Sequence, residues 1–206
     1  MKALIVVDPQ NDFLPGGALA VPEGDQVVPV INRLLPRFDL AVATQDWHPA
    51  DHGSFAANQS GKQPGDVIEW NGLEQMLWPV QCVQETLGTE FSLELDTPFI
   101  DKVFVKGTDP AVDSYSGFFD NGQRQATGLE EYLRQQGVEE VCVVGLATDY
   151  CVKFTALDAA RLGFRVSVVE DACRGVNLQP GDVDRALAEM RDAGITIVRE
   201  ETLAEK

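Results

Sequence analysis

The stretch VCVVGLATDYCV, residues 141–152, decides the fold. Val141 to Val144 is a short, unbroken apolar run, the pattern of a strand buried on both faces. From about Asp149 to Leu162 the chain reads as a helix, which Gly163 ends. A strand that hands over to a helix here puts Cys151 in the helix's first turn. Unpaired backbone N–H groups and the positive end of the helix dipole gather there, and both favour a thiolate. Such a cysteine is either a nucleophile, with neighbouring amides placed to hold an oxyanion, or a buried structural residue.

Working outward, the same alternation recurs. Ala3–Val7 is a buried strand that ends at Asp8. Val27, Val28, Val30, Ile31, Leu34 and Leu35 share one helix face, although Pro29 lies near its start. Leu40–Ala43, Val103–Lys106, Arg165–Val169 and Ile195–Val198 read as further strands, Leu129–Gln136 and about Asp182–Ala193 as helices. Residues 53–98 are the least regular part, with a short helix expected over Leu73–Leu77. Strands alternating with helices predict an α/β three-layer sandwich. Its sheet is six-stranded and mainly parallel, with helices on both faces. No linker, repeat or low-complexity tract interrupts the chain, so residues 1–206 read as one domain.

In such a sheet ligands bind beyond the carboxyl ends of the strands. Asp8 and Lys106 end two strands, and Cys151 follows a third. Taken alone, Asp8 also fits a turn cap and Lys106 a solvated lysine; beside a cysteine, Lys106 would stabilise a thiolate and lose basicity. The second strand runs into TQDWHPADH, residues 44–52, which contains both histidines of the chain. Asp46, His48 and His52 offer a carboxylate and two imidazoles, a set suited to Zn, Fe or Mn. The alternative is a polar loop whose histidines bond to backbone.

The net charge of -17, from 16 basic and 33 acidic side chains, disfavours nucleic acid and anionic membrane surfaces as partners. No apolar run is long enough for a signal-peptide core or a membrane span. Cys82, Cys142, Cys151 and Cys173 form no CxxC pair. Reduced thiols in a cytoplasm are the default expectation. The sequence leaves the oligomeric state open, a homo-oligomer included.

Several long motifs in order carry a family resemblance over nearly the whole chain. They are ALIVVDPQNDFLPGGALAV from Ala3, TQDWHPADHGSFA from Thr44, LWPVQCVQ from Leu77, VKGTDPAVDSYSGFFDN from Val105 and GLATDYCVKFTALDA from Gly145. The chain resembles the nicotinamidases/pyrazinamidases of the isochorismatase-like cysteine hydrolases. That resemblance implies hydrolysis of nicotinamide to nicotinate and ammonia through a cysteine thioester, as in NAD salvage. It implies Asp8, Lys106 and Cys151 as a catalytic triad, and the amides of Ala147 and Cys151 as the oxyanion hole. It further implies a cis Leu146–Ala147 peptide, an aromatic pocket of Phe13, Trp78, Tyr115 and Tyr150, and a divalent metal on Asp46, His48 and His52. One departure stands out: the family usually places a metal-binding histidine where this chain has Gln81, and another family-typical histidine is replaced by Gln59. An amide oxygen binds transition metals more weakly than imidazole. The other readings are a related amidohydrolase for carbamoyl or ureido amides, and a ligand-binding relative with a depleted metal site.

Overall fold

The computed structural model describes residues 1–203. Eight strands form: β1 (Lys2–Val7), β2 (Leu40–Asp46), β3 (Val67–Trp70), β4 (Leu73–Met76), β5 (Lys102–Lys106), β6 (Glu140–Leu146), β7 (Arg165–Arg174) and β8 (Thr196–Val198). Four α-helices accompany them: α1 (Val27–Leu34), α2 (Leu129–Gln135), α3 (Lys153–Arg161) and α4 (Asp182–Asp192).

Six strands make one parallel sheet in the order β5-β2-β1-β6-β7-β8. This is the expected architecture, and its physical basis is plain in β1. Ala3 to Val7 are all fully buried, alternating between two cores. Ala3, Ile5 and Val7 face the core that α2, α3 and α4 cover. Leu4 and Val6 face the other, built on Val27, Val28, Ile31 and Leu34 of α1. Each such aliphatic side chain contributes roughly 1.5–3 kcal/mol on full burial. Pro29 falls in the first turn of α1, where its missing N–H costs no hydrogen bond.

The chain builds outward from β1 through β2 to β5, then returns to lay β6 on β1's free side and continues through β7 to β8. The order therefore reverses between β1 and β6, which makes a crevice beyond their carboxyl ends. Asp8 follows β1 and Ala147 follows β6, so both stand at that crevice.

Two strands lie outside the main sheet. Residues 73–77 are not helical: Leu73–Met76 pairs antiparallel with Val67–Trp70. The reason is the turn Asn71-Gly72, whose φ values of 52° and 80° are both positive. A two-residue Asn-Gly loop with that geometry matches the twist of a tight hairpin. Two strands also run longer than expected, β2 to Asp46 and β7 to Arg174. Beyond an irregularity between Val143 and Gly145, β7 pairs Cys173 with Gly145 and Arg174 with Leu146, bracing the end of β6. No helix of the described residues is long and apolar enough to cross a membrane.

Candidate active site

Lys106, the last residue of β5, is buried and organises the site. Its Nζ lies 2.9 Å from Asp8 Oδ2, 2.5 Å from Asp46 Oδ1, 2.9 Å from the Ser114 carbonyl and 3.4 Å from Cys151 Sγ. Burial pulls its pKa down, yet Asp46 and Asp8 together raise it well above the ordinary lysine value. Lys106 is thus a fixed ammonium, not the weakened base expected from sequence. Two carboxylates at contact distance outweigh the loss of water.

Asp8 is also fully buried, with a φ of 46°, unusual for a non-glycine residue. Its Oδ1 accepts a 2.6 Å hydrogen bond from the Thr44 hydroxyl on β2. Burial raises its pKa, Lys106 opposes this, and the net shift is upward. Cys151 sits in a π-helical turn, Thr148–Val152, that leads into α3. Burial pushes its thiol well above the ordinary value, against the pull of Lys106, and hydrogen bonding to Asp8 adds to the rise. The α-helix proper begins only at Lys153, and desolvation outweighs the helix end. The resting proton stays on sulfur, beside a carboxyl group whose own affinity for it is raised.

A small cavity opens onto Cys151. Its walls include Phe13, Trp78, Tyr115 and Tyr150, with the Ala147 backbone at the junction after β6. Trp78 meets Tyr150 edge-on at 4.9 Å between ring centroids, and Trp78 Nε1 donates to the Tyr115 hydroxyl at 3.1 Å. The walls are flat rings with few polar atoms, which suits a small planar aromatic ligand. The Leu146–Ala147 peptide is cis, as the motif implied.

Asp46 joins this site to a second group. Its Oδ2 is 3.6 Å from His48 Nε2. Burial pushes the Asp46 carboxyl up, but Lys106 and then His48 more than offset it and hold Asp46 below the ordinary carboxylate range. Ligand atoms of His48, His52 and Asp113 all lie within 4.8 Å of one another. His48 Nδ1 donates to the Gly107 carbonyl at 2.9 Å, which leaves Nε2 free as a ligand. His52 Nε2 and Gln81 Oε1 are buried without a hydrogen-bond partner among the described residues. Imidazole, carboxylate and amide donors with unused lone pairs suit a divalent metal. The residues present fit such an ion; Asp113 groups with His48 and His52, while Asp46 groups with Asp8 and Cys151 and reaches His48 only at 3.6 Å.

The isochorismatase-domain profile matches residues 2–202. The chain belongs to the isochorismatase family. It is 53% identical over 200 residues to the nicotinamidase of Escherichia coli strain K12, covering 95% of this chain and 93% of that one. A solved nicotinamidase/pyrazinamidase from Acinetobacter baumanii superposes with a TM-score of 0.96 at 45% identity, covering 98% of each chain. The pyrazinamidase of Pyrococcus horikoshii, solved in complex with zinc, gives 0.78 at 42% identity, over 96% of this chain and 98% of that one.

The isochorismatase fold thus brings Asp8, Lys106 and Cys151 into one buried group, with Phe13, Trp78, Tyr115 and Tyr150 around the cavity. Asp46 sits between that group and the histidines, committed to Lys106 at its nearer oxygen. Gln59 points elsewhere, its amide donating to the Gly53 carbonyl at 2.7 Å. Four supporting residues escaped the sequence reading. Thr44 orients Asp8. Gln10 clamps Asp46 from both sides, accepting from its N–H and donating to its carbonyl, each at 2.8 Å. Gln75, on the hairpin, donates to Asp113 Oδ2 at 3.0 Å. Asp113 itself lies seven residues past Lys106, in a loop whose return to the histidines has no local signature. Gln10, three residues after the first strand and beside Asp8, was the most findable.

Proposed function

We propose that the chain is a nicotinamidase that also accepts pyrazinamide. The observation that carries this reading is the contact group Asp8–Lys106–Cys151 at the base of an aromatic-walled cavity. A flat ring between Trp78, Tyr115, Tyr150 and Phe13 presents its carboxamide carbon to Cys151 Sγ.

Asp8 takes the thiol proton as sulfur attacks, so the thiolate exists only as the C–S bond forms. Burial raises the proton affinity of Asp8 above that of an ordinary carboxylate, which makes it a better acceptor for the thiol proton. Lys106 remains cationic throughout. It offsets the negative charge that Asp8 and Cys151 share and keeps Asp8 able to accept the proton. The amides of Ala147 and Cys151 hold the oxyanion. Protonated Asp8 then delivers its proton to the departing nitrogen, and ammonia leaves the Cys151 thioester. Water attacks the thioester, with Asp8 again receiving a proton, and nicotinate departs as the thiol re-forms.

Asp46, His48, His52 and Asp113 would hold a divalent ion. Bound there, the ion supplies Lewis acidity for ring-nitrogen binding and water orientation. Zinc in the Pyrococcus horikoshii relative supports this assignment without choosing among Zn, Fe and Mn.

The test is ammonia release from nicotinamide by the purified protein and by Cys151→Ala. The wild type should turn over and the variant should not. Turnover retained by Cys151→Ala sinks the covalent mechanism. A wild type that cleaves carbamoyl or ureido amides but leaves nicotinamide intact moves the assignment to that class.

A further inference from the structure

We propose that Gln81 is a metal ligand through its side-chain oxygen, giving this site an oxygen-rich donor set in which zinc has less advantage over harder ions. The proposal rests on the metal-bound reading above and concerns which atoms hold the ion.

Gln81 is buried, and its Oε1 has no hydrogen-bond partner among the described residues. A buried carbonyl oxygen without a donor is costly unless something else occupies its lone pairs. Its surroundings offer no general apolar excuse. Gln81 lines the cavity together with Asp46 and Asp113, whose carboxylate oxygens are acceptors and offer its Oε1 no donor. The backbone fixes it beside the histidines. The His48 N–H donates to the Cys82 carbonyl at 3.0 Å, and the Gln84 N–H donates to the His48 carbonyl at 2.9 Å. Residues 82–84 therefore run alongside His48, and Gln81 is the residue just before them.

A second unpartnered atom points to the same ligand. His52 is fully buried, and its Nε2 is unpaired. Its Nδ1 accepts the Ser54 N–H at 3.2 Å when the ring proton is on Nε2; with a metal on Nε2 the proton moves to Nδ1, which then donates to Ser54 Oγ at 2.7 Å. His48 Nε2 is free by the same logic, since Nδ1 donates to Gly107. The donors are then two imidazole nitrogens, the carboxylates of Asp46 and Asp113, and one neutral amide oxygen. Imidazole favours zinc, whereas carbonyl and carboxylate oxygens suit manganese and magnesium better. Zinc still binds more tightly than manganese by its place in the divalent series, so the signature is a narrowed ratio between them.

The full chain, stripped by chelator, is dialysed to equilibrium against Zn²⁺ and against Mn²⁺. Gln81→His should raise Zn²⁺ affinity by about tenfold while changing Mn²⁺ little, and shift the visible bands of bound Co²⁺. Gln81→Ala should weaken Mn²⁺ more than Zn²⁺. Should the alanine variant fail to fold, Gln81→Glu serves instead and should tighten both ions. Variants that bind both ions within threefold of wild type, with an unchanged Co²⁺ spectrum, overturn the proposal. So does Gln81→Ala with unchanged metal binding but a raised KM for nicotinamide, which would make Gln81 a substrate contact. A wild type that releases ammonia yet binds neither ion overturns the ligand assignment and leaves the nicotinamidase reading standing.

Discussion

Gly145→Ala should break the molecule where its two halves meet. Gly145 lies on β6 directly opposite Val7 of β1, with a φ of 118°. A Cβ there would sit 2.1 Å from the Val7 carbonyl oxygen and 2.8 Å from its nitrogen. Both neighbours are backbone, so no side chain can swing aside. The strained φ costs on the order of 1–3 kcal/mol for any L-residue. Forcing the strands apart adds about 1–3 kcal/mol, as overpacking does elsewhere. A loss of roughly 2–6 kcal/mol follows, against a total stability of about 5–15 kcal/mol. For a chain of this size each kcal/mol moves Tm by roughly 2–4 °C. Thermal and urea unfolding measure the loss directly. Gly163→Ala is the control: its φ is 88°, but nothing lies within 4 Å of the new Cβ, so it should lose only the strain. Because Val7 precedes Asp8, whatever Gly145→Ala protein remains folded should also lose turnover in excess of its unfolded fraction. A variant within about 1 kcal/mol of wild type, and no less stable than Gly163→Ala, would refute the close-approach argument.

Thr44→Val keeps the shape of the site but removes the donor to Asp8; kcat/KM should fall by about tenfold, consistent with a bond to a charged group worth roughly 1.5–3 kcal/mol. That hydroxyl holds the Asp8 pKa down, so the acid limb of the pH–rate profile should also move to higher pH. Gly107→Ala places a Cβ 2.3 Å from His48 Cε1 at a φ of 65°; metal affinity, read by dialysis, should drop while the Asp8–Lys106–Cys151 group stays intact. Arg33 grips Glu200 with two hydrogen bonds of 2.8 and 2.6 Å, and that grip lowers the Glu200 pKa. A lowered carboxylate pKa gives stability that is present above the unfolded value and lost as pH falls through the folded one. Arg33→Ala should therefore cost about 0.2–1 kcal/mol at neutral pH, and the difference in urea midpoints should vanish under acid.

Much of the site was legible because it hangs on strand ends. Val7 to Asp8 and Val105 to Lys106 are places where an apolar run stops at a charge. A parallel sheet sends all such ends to one edge. The hairpin was missed although Asn71-Gly72 announces it, because Leu73–Leu77 carries no alternation strong enough to exclude a helix. Asp113 and Gln75 were hidden for a different reason: their partners lie across loops, and nothing local marks which way a loop returns. The protonation of Cys151 could not be read at all. Its position suggested a thiolate, and only the three-dimensional burial of the thiol reverses the balance.

The reversal of strand order between β1 and β6 also dictates when the protein can become an enzyme. Asp8 is made long before the strand beside it, which begins at Glu140. Until that stretch leaves the ribosome, β1 has an unpaired edge and Asp8 stands without Cys151 beside it. The β1–β6 pair closes a long loop, and contacts so distant in sequence slow folding. During synthesis the exposed flank of β1, whose residues 3–7 are aliphatic and uncharged, is an adhesive surface in need of shelter. Activity is thus a property that the growing chain acquires only after β6 is made, with β1 waiting for that partner through all the intervening strands.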